Sequence, residues 1–237
     1  MVCQFTFRPG TIDQVVFRTV YEQNEYRVPE HLAATDVVID IGAHIGSFAY
    51  LCWLRGSRQV FAFEADPENA RLAQQNLKET NVNLKQAAVW RSDVKAGGML
   101  FHGGYAEMLP DGPDPVGVNT GGGNVFAEAG TPVPTVSLDE IIGDRQVRML
   151  KVDCEGSEFP ILLTSQKLRN CACVIGEYHL IKDVPSIAQV NGSEFYTVGL
   201  LADMFVAQRF RVEFVPYKDP RFPHVGNFYA YNLDWQD

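Results

Sequence analysis

Apolar and polar positions repeat in a regular order along most of the chain: a short apolar run, then a stretch whose apolar residues have helical spacing. The first unit is the run "DVVIDI" followed by "GSFAYLCWLR", and the second is "QVFAFEA" followed by "DPENARLAQQNLKET". Strands that alternate with helices in this way form right-handed βαβ units. The pattern therefore predicts an α/β fold, with a mostly parallel sheet covered by helices on both faces.

Two helix starts carry recognisable capping residues. Asp66 precedes Pro67, and a carboxylate cap followed by proline at the first helical position favours a helix start. Ser137 and Glu140 have the spacing of a capping box, which predicts that "TVSLDEII" enters a helix. Near the start of the chain, "TIDQVVFRTVYEQNEY" is predicted to be helical, and "NLKQAAVW" is predicted to be one strand.

The second half of the chain continues the alternation and ends in two apolar runs that predict a β-pair. The predicted elements are, in order, "VRMLKVDCEG", "SEFPILLTSQKL", "CACVIGEYHL", "SEFYTVGLLADMFVAQRF", "RVEFVP" and "NFYAYNL". The sequence contains no internal repeat and no evident linker. It therefore predicts one domain over residues 1–237, in which residues 1–34 are an N-terminal extension.

Residues 97–134 interrupt the alternation. They hold half of the chain's 20 glycines and include the run "PDGPDPVGVNTGGGNVF". Most connections in compact domains are about four to six residues long, and a much longer one is usually functional or disordered. The region is therefore predicted to be an insertion or a lid.

Composition and charge exclude several classes of partner. The chain has 237 residues, 46% of them hydrophobic, which is enough for one well-buried α/β domain. The formal net charge of −9 disfavours a nucleic-acid partner, which requires a basic surface. No apolar run approaches the roughly 18–20 uncharged residues of a membrane span, and the N-terminal sequence shows no secretory signal. We therefore expect a cytoplasmic protein without a membrane partner.

The stretch "VVIDIGAHIGSF" offers a ligand-binding turn at the carboxyl end of a strand, where α/β sheets bind their ligands. Gly42 can adopt backbone angles closed to other residues and lets a ligand approach the main chain closely. Gly46 begins the next helix, whose free N–H groups favour a carboxylate. A structural turn with an incidental acid is the alternative interpretation, but Asp40 would be costly to bury there without a partner.

Two cofactor classes compete for this turn. A dinucleotide fingerprint would place its second and third glycines at His44 and Ser47, so two of its three glycines are missing. S-adenosylmethionine carries no phosphate, and it has an ammonium that Asp40 could accept and ribose hydroxyls that Glu64 could bind. These residues favour S-adenosylmethionine over a nicotinamide cofactor.

A second constellation lies in "LKVDCEGSEF" and in the "GEYH" of the following strand. Neighbouring strands would present Asp153, Glu155, Glu177 and His179 to one cleft, with Glu158 at the start of the next helix. A histidine among carboxylates could act as a general base. The same residues could hold a hard divalent cation. Base or substrate orientation is favoured, and no metal site is predicted, because no recognised metal-ligand spacing is present.

Six segments together closely resemble the FkbM family of S-adenosylmethionine-dependent methyltransferases, over roughly residues 26 to 179. They are "VVIDIGAHIGSFAYL", "VFAFEADPENARLAQQNL", "QAAVW", "VSLDEII", "LKVDCEGSEFPIL" and "IGEYH". The resemblance implies a class I methyltransferase fold, Rossmann-like, with seven strands, the last antiparallel. It also implies methylation of a hydroxyl group on a natural product or sugar. His44 stands where the family more often has Asn.

The predicted site has three overlapping sets of residues. The predicted catalytic residues are His179, Asp153 and Glu155. The predicted cofactor residues are Asp40, Gly42, Ala43, Gly46, Glu64, Ala65, Asp66, Ala88 and Asp153. The predicted substrate contacts are Glu155, Glu158, Glu177 and His179. The expected partner is a small-molecule acceptor, and a homodimer is left open. An NAD(P)-dependent oxidoreductase and a non-catalytic S-adenosylmethionine-binding module are the rival functions.

Overall fold

Two β-sheets organise the chain in a computed structural model, which describes residues 5–95, 97–103, 117–126 and 128–236. Among the described residues, seven strands form one sheet and three more form a smaller sheet. The strands are β1 (Val37–Ile41), β2 (Gln59–Glu64), β3 (Asn83–Gln86), β4 (Ala88–Trp90), β5 (Gly98–Phe101), β6 (Thr131–Ser137), β7 (Val147–Val152), β8 (Cys171–His179), β9 (Phe210–Pro216) and β10 (Val225–Asn232). The α-helices are α1 (Asp13–Phe17), α2 (Ser47–Leu54), α3 (Pro67–Asn76), α4 (Leu138–Ile142), α5 (Glu158–Thr164) and α6 (Val198–Ala207).

The order of strands in the large sheet is β3-β2-β1-β7-β8-β10-β9. Neighbours from β3 to β8 pair in parallel, and β10 is antiparallel to both β8 and β9. This confirms the predicted seven-stranded, mostly parallel sheet with an antiparallel last strand, and the predicted final β-pair. Strand order reverses between β1 and β7, so the carboxyl ends of these strands flank the crevice in which such sheets bind ligands.

The central strand β1 explains why its sequence is a continuous apolar run. All five of its residues are buried, because helices cover both faces of the sheet. Ile39 and Ile41 pack into the core on one face with Phe159 of α5. Val38 packs into the core on the other face with Phe48 of α2.

The predicted capping residues have the predicted roles. The Asp66 side chain accepts hydrogen bonds from the backbone of Glu68 and Asn69 at the start of α3. Ser137 and Glu140 exchange both hydrogen bonds of a capping box at the start of α4. These are local signals, so the sequence carries them directly.

One other prediction was wrong, and two others gain detail. "NLKQAAVW" is not one strand, because β4 leaves the large sheet and pairs with β6. Within residues 97–134, β5 and the first part of β6 form an antiparallel pair. The first helix is shorter than predicted, because α1 ends at Phe17 and continues as a π-helical turn over Arg18–Glu22. Residues 104–116 and 127 of the predicted lid lie outside the described residues. None of the described helices is long and apolar enough to cross a membrane.

Candidate active site

A cavity of about 810 Å³ opens at the carboxyl ends of β1, β2, β7 and β8. Two groups of residues contribute to its lining, and we name them the glycine-loop end and the acidic end. The glycine-loop end consists of Gly42, Ala43, Glu64, Ala65 and Ala88. The acidic end consists of Glu25, Asp153, Glu155, Glu177 and His179. The structure thus brings most of the predicted cofactor residues and most of the predicted acceptor residues into one cavity.

The turn after β1 accepts only glycine at its first position. Gly42 has φ +75°, and a Cβ added there would lie 1.7 Å from the carbonyl oxygen of Asp153. The N–H groups of Gly42 and Ala43 donate to the carbonyl of Phe63, at 3.0 and 2.9 Å, and bind the turn to the end of β2. Gly46 also has a positive φ, of +92°, immediately before α2. The turn is therefore fixed in shape before any ligand is considered.

Glu64 is held at the end of β2 by two backbone donors. Its Oε2 accepts from His44 N at 2.6 Å and its Oε1 accepts from Asp66 N at 2.9 Å. Burial raises the pKa of Glu64 to about 7, although these hydrogen bonds oppose the change. A carboxylate has about four acceptor positions, so both oxygens can still bind hydroxyl groups from the cavity.

Three predicted cofactor residues lie outside the cavity lining. Asp66 is buried as the cap of α3, and Gly46 packs against Leu77. Asp40 is fully buried behind the turn, where its Oδ1 lies 3.3 Å from Lys151 Nζ. The predicted contact between Asp40 and an ammonium therefore stays a prediction, and the positive charge beside Asp40 in this structure is that of Lys151.

Lys151 connects the two ends of the cavity. Its Nζ donates to the carbonyls of Gly42 and Ile41, at 2.5 and 3.3 Å, and lies 3.6 Å from Asp153 Oδ2. Burial would lower the pKa of Lys151, but Asp40 and Asp153 outweigh it and raise that pKa. The lysine is therefore charged and neutralises the acids beneath the turn.

His179 lies among three carboxylates at the acidic end. Its Nδ1 is 3.2 Å from Glu158 Oε1, and its Nε2 is 3.4 Å from oxygens of Glu155 and of Glu177. Burial opposes the charged form, but the carboxylates outweigh it and raise the pKa of His179 well above its ordinary value. The three carboxylates therefore favour the protonated form of His179. The predicted role of His179 as general base stays a prediction.

Glu158, predicted to contact substrate, supports His179 from behind and is not part of the cavity lining. It is fully buried and accepts from the N–H groups of Cys154 and Gly156, both at 2.8 Å. These two bonds fix the carboxylate, and the carboxylate in turn fixes the Nδ1 side of the imidazole.

Four residues in or next to the acidic end were not predicted from the sequence, because they lie outside the sequence motifs. They are Glu25, Tyr26, Tyr217 and Asn227. Tyr26 donates its hydroxyl to Asp153 Oδ2 at 2.9 Å, and Tyr217 donates to Glu177. Asn227 on β10 donates to Glu25 Oε1 at 3.1 Å. Burial raises the pKa of Glu25, and burial together with Asp153 raises the pKa of Glu177 well above its ordinary value.

The side chain of His44 belongs to a polar network that joins three parts of the chain. Its Nε2 lies 2.8 Å from Thr120 Oγ1, and Thr120 donates to the buried Asp13 at 2.7 Å. Arg8 donates to Asp13 at 2.9 and 2.8 Å and to Asn69 Oδ1 at 2.7 Å. The network therefore ties the turn after β1 to the N-terminal extension and to the glycine-rich region.

The described part of the glycine-rich region, residues 117–126, lies along the cavity. Val118 exchanges backbone hydrogen bonds with the N-terminal extension, from Ile12 N at 3.1 Å and to the Gly10 carbonyl at 2.9 Å. Gly121, Gly122 and Asn124 line the cavity wall. This position agrees with the predicted lid, and its closure over an acceptor stays a prediction.

Comparisons with known proteins agree with this geometry. The sequence matches the methyltransferase FkbM domain over residues 40–198. The structure is similar to methyltransferase FkbM from Methylobacillus flagellatus KT, with a TM-score of 0.51 and 14% identity, over 91% of this chain and 48% of that one. It is also similar to a Listeria monocytogenes protein described as an S-adenosylmethionine dependent methyltransferase, with a TM-score of 0.51 and 9% identity, over 93% and 100% of the two chains. No curated protein matches the sequence. At these identities the solved structures show the class I methyltransferase fold.

Proposed function

The chain belongs to the FkbM methyltransferase family, and we propose that it methylates a hydroxyl group of a small natural product or sugar, with S-adenosylmethionine as the methyl donor. The observation that carries this proposal is the cavity itself. Its lining joins a glycine turn and the acid Glu64, at the end of β2, to a cluster of four carboxylates and one imidazole. Family membership weighs against the nicotinamide-dependent alternative.

The glycine-loop end fits the cofactor. Gly42 lines the cavity and has no side chain, so a ligand would meet main chain there. Ser47 Oγ, at the start of α2, lines the cavity, is buried, and has no hydrogen-bond partner among the described residues. Ser47 would receive the carboxylate of the methionine moiety, and Glu64 would accept the ribose hydroxyls. When bound, S-adenosylmethionine supplies a methyl group activated by the positive charge of its sulfonium.

The protein's own contribution is alignment and proton removal. The walls of the cavity would align the acceptor with the methyl group and exclude water, since the reacting atoms must approach to about 3–3.5 Å. An acceptor hydroxyl must lose its proton as its oxygen is methylated. Glu25 and Glu177 suit this task because burial raises the pKa of each carboxyl, which makes it a better proton acceptor. His179, 3.4 Å from Glu177, helps to orient that carboxylate.

The acidic end also favours one class of acceptor. Four of its five side chains are carboxylates, which bind hydroxyl groups and repel phosphates. The net charge of −9 extends this repulsion to nucleic acids. A neutral polyhydroxylated molecule is therefore the acceptor class that the cavity suits.

Calorimetry with S-adenosylhomocysteine tests the cofactor half of the proposal. We expect the parent to bind it, and Glu64→Gln to bind it about tenfold or more weakly, because the ribose loses its acceptor. In the parent, affinity should fall as the pH drops below about 7, where Glu64 becomes protonated. The Glu64→Gln variant should lack this dependence. Equal affinity of parent and variant would contradict the assignment.

A panel of hydroxylated natural products and sugars tests the acceptor half. Methyl transfer from labelled S-adenosylmethionine to a hydroxyl is the expected result. Cofactor binding without transfer to any member would indicate the non-catalytic module instead. Transfer to nitrogen or carbon would keep the methyltransferase and reject the hydroxyl acceptor.

A further inference from the structure

We propose that Asp153, Glu177 and His179 form a binding site for one divalent cation, Mg²⁺ or Mn²⁺, at the acidic end of the cavity. Asp153 follows β7, and Glu177 and His179 end the neighbouring strand β8. One ligand atom from each side chain lies within 4.8 Å of the others. All three residues line the cavity, so a cation held by them would keep open positions toward the acceptor.

The surroundings of His179 are those of a metal-binding histidine. A ligating histidine commonly directs its second ring nitrogen to a carboxylate, which fixes the ring. Here Nδ1 faces Glu158 at 3.2 Å, and Glu158 is itself held by two backbone N–H groups. The other nitrogen, Nε2, points to the carboxylates of Glu155 and Glu177. The imidazole is thus oriented with Nε2 toward the proposed site, where a cation would replace the proton that this nitrogen shares with the carboxylates.

A second, independent observation comes from Asn227 on β10. Asn227 pairs directly with Glu177 across the two strands, so both side chains lie on the same face of the sheet. It is 6% exposed, and its Oδ1 has no hydrogen-bond partner among the described residues. Its Nδ2 is bonded to Glu25. A buried acceptor oxygen without a donor costs free energy. Because the Asn227 amide is bonded to Glu25, this unsatisfied oxygen belongs to the surroundings of the acidic end, and a nearby cation would stabilise it.

The charge of the cluster supports the same conclusion. Four carboxylates, those of Glu25, Asp153, Glu155 and Glu177, line this end of the cavity. Lys151 is already shared between Asp40 and Asp153. Negative charge therefore remains at this end of the cavity. A divalent cation would offset that charge even when no substrate or cofactor is bound.

The donor atoms select the kind of cation. The two carboxylates favour a hard cation such as Mg²⁺ or Mn²⁺, and of these two Mn²⁺ accepts the imidazole nitrogen more readily.

The role of the cation rests on the proposed methyl transfer to oxygen. An acceptor hydroxyl bound to the cation loses its proton more readily, and the Glu25 carboxylate receives that proton. The freed oxygen then bonds to the methyl carbon while the bond from that carbon to sulfur breaks, leaving a methyl ether and S-adenosylhomocysteine. An acceptor with two adjacent oxygens, such as a vicinal diol or an α-hydroxy acid, would fill two open positions and bind in one orientation.

Electron paramagnetic resonance of Mn²⁺ tests the site without any turnover. The EDTA-treated full chain is titrated with Mn²⁺, and the loss of the free-ion signal gives affinity and stoichiometry. We expect one Mn²⁺ per chain, displaced by Mg²⁺. Glu177→Gln and Asp153→Asn should each weaken binding by about 10- to 100-fold or more, because a ligand is lost. Asp203→Asn removes one exposed carboxylate from α6 and should bind as the parent does.

Two results would overturn the proposal: no Mn²⁺ bound by the parent below millimolar concentration, or equal affinity in the parent and Glu177→Gln. Circular dichroism of every variant shows that it is folded, and binding of S-adenosylhomocysteine in EDTA is measured on the parent and on Glu177→Gln. The cofactor measurement separates the two proposals. Cofactor binding without Mn²⁺ rejects the cation site alone, and Mn²⁺ binding without cofactor binding rejects the proposed function.

Discussion

The two ends of the cavity are built in different ways. At the glycine-loop end, the turn Gly42–Ala43 and the acid Glu64 belong to two consecutive βα units, and backbone groups set most of the geometry. At the acidic end, Glu25, Asp153 and Glu177 come from three distant parts of the chain, and side-chain contacts set the geometry. The glycine-loop end is a local motif that can serve methyl transfer to many different acceptors. The acidic end is assembled from distant residues, so its substitution can change the acceptor specificity without changing the glycine turn.

Lys151 is the point at which the two ends depend on each other, and its replacement should have the largest effect. Lys151→Met leaves Asp40 buried with an unmatched charge, which we expect to lower the free energy of unfolding by about 3–5 kcal/mol. Urea unfolding measures it. The double variant Asp40→Asn with Lys151→Met removes both charges and should recover much of the loss. If the single and double variants are equally unstable, packing rather than charge explains the effect.

Gly42→Ala should break the glycine-loop end alone. A Cβ at this position would overlap the Asp153 carbonyl oxygen, so the turn must move. We expect a loss of about 2–4 kcal/mol in the free energy of unfolding and no measurable binding of S-adenosylhomocysteine.

Gly192→Ala is the matched control for this change. Gly192 has the same φ of +75°, but a Cβ there meets nothing within 4 Å. It should cost only the backbone strain, about 1–2 kcal/mol, and leave cofactor affinity unchanged. If Gly42→Ala keeps cofactor affinity as Gly192→Ala does, then the contact between Gly42 and the Asp153 carbonyl does not determine the shape of the turn.

The difference between the two ends also explains what the sequence could predict. The caps at Asp66 and Ser137 are confirmed because each depends on residues two or three positions away. The strand run of β1 is confirmed because burial on both faces leaves an uninterrupted apolar stretch. The position of Glu64 at the cavity follows from the length of one βα unit.

The errors and omissions are long-range. The separation of β4 from β3 depends on pairing with β6, which begins about 40 residues later and carries no local signal. Glu25 and Asn227 reach the acidic end only because the N-terminal segment and β10 converge on it. The raised pKa of His179 could not be predicted from spacing, because it depends on three carboxylates whose orientation the fold determines.

Replacing the His44 side chain should have the smallest effect on stability and on cofactor binding. The ring of His44 joins the glycine-loop end to the N-terminal extension and the glycine-rich region, whereas its backbone belongs to the turn itself. His44 has φ +51°, which asparagine also tolerates, so His44→Asn keeps the backbone turn and its N–H bond to Glu64. The substitution removes the contact with Thr120. We expect a loss of about 1 kcal/mol in the free energy of unfolding, with S-adenosylhomocysteine binding a few-fold weaker, about the worth of one hydrogen bond.

A double-mutant cycle with Thr120→Val isolates this contact. If the His44 ring acts through Thr120, the losses in cofactor affinity of the two single variants will not add, and the double variant will be close to either one. Additive losses would show that the ring and the glycine-rich region affect the cofactor separately. In that case the network would serve only to hold Asp13 and Arg8 against the domain, and the turn would be fixed by its backbone bonds alone.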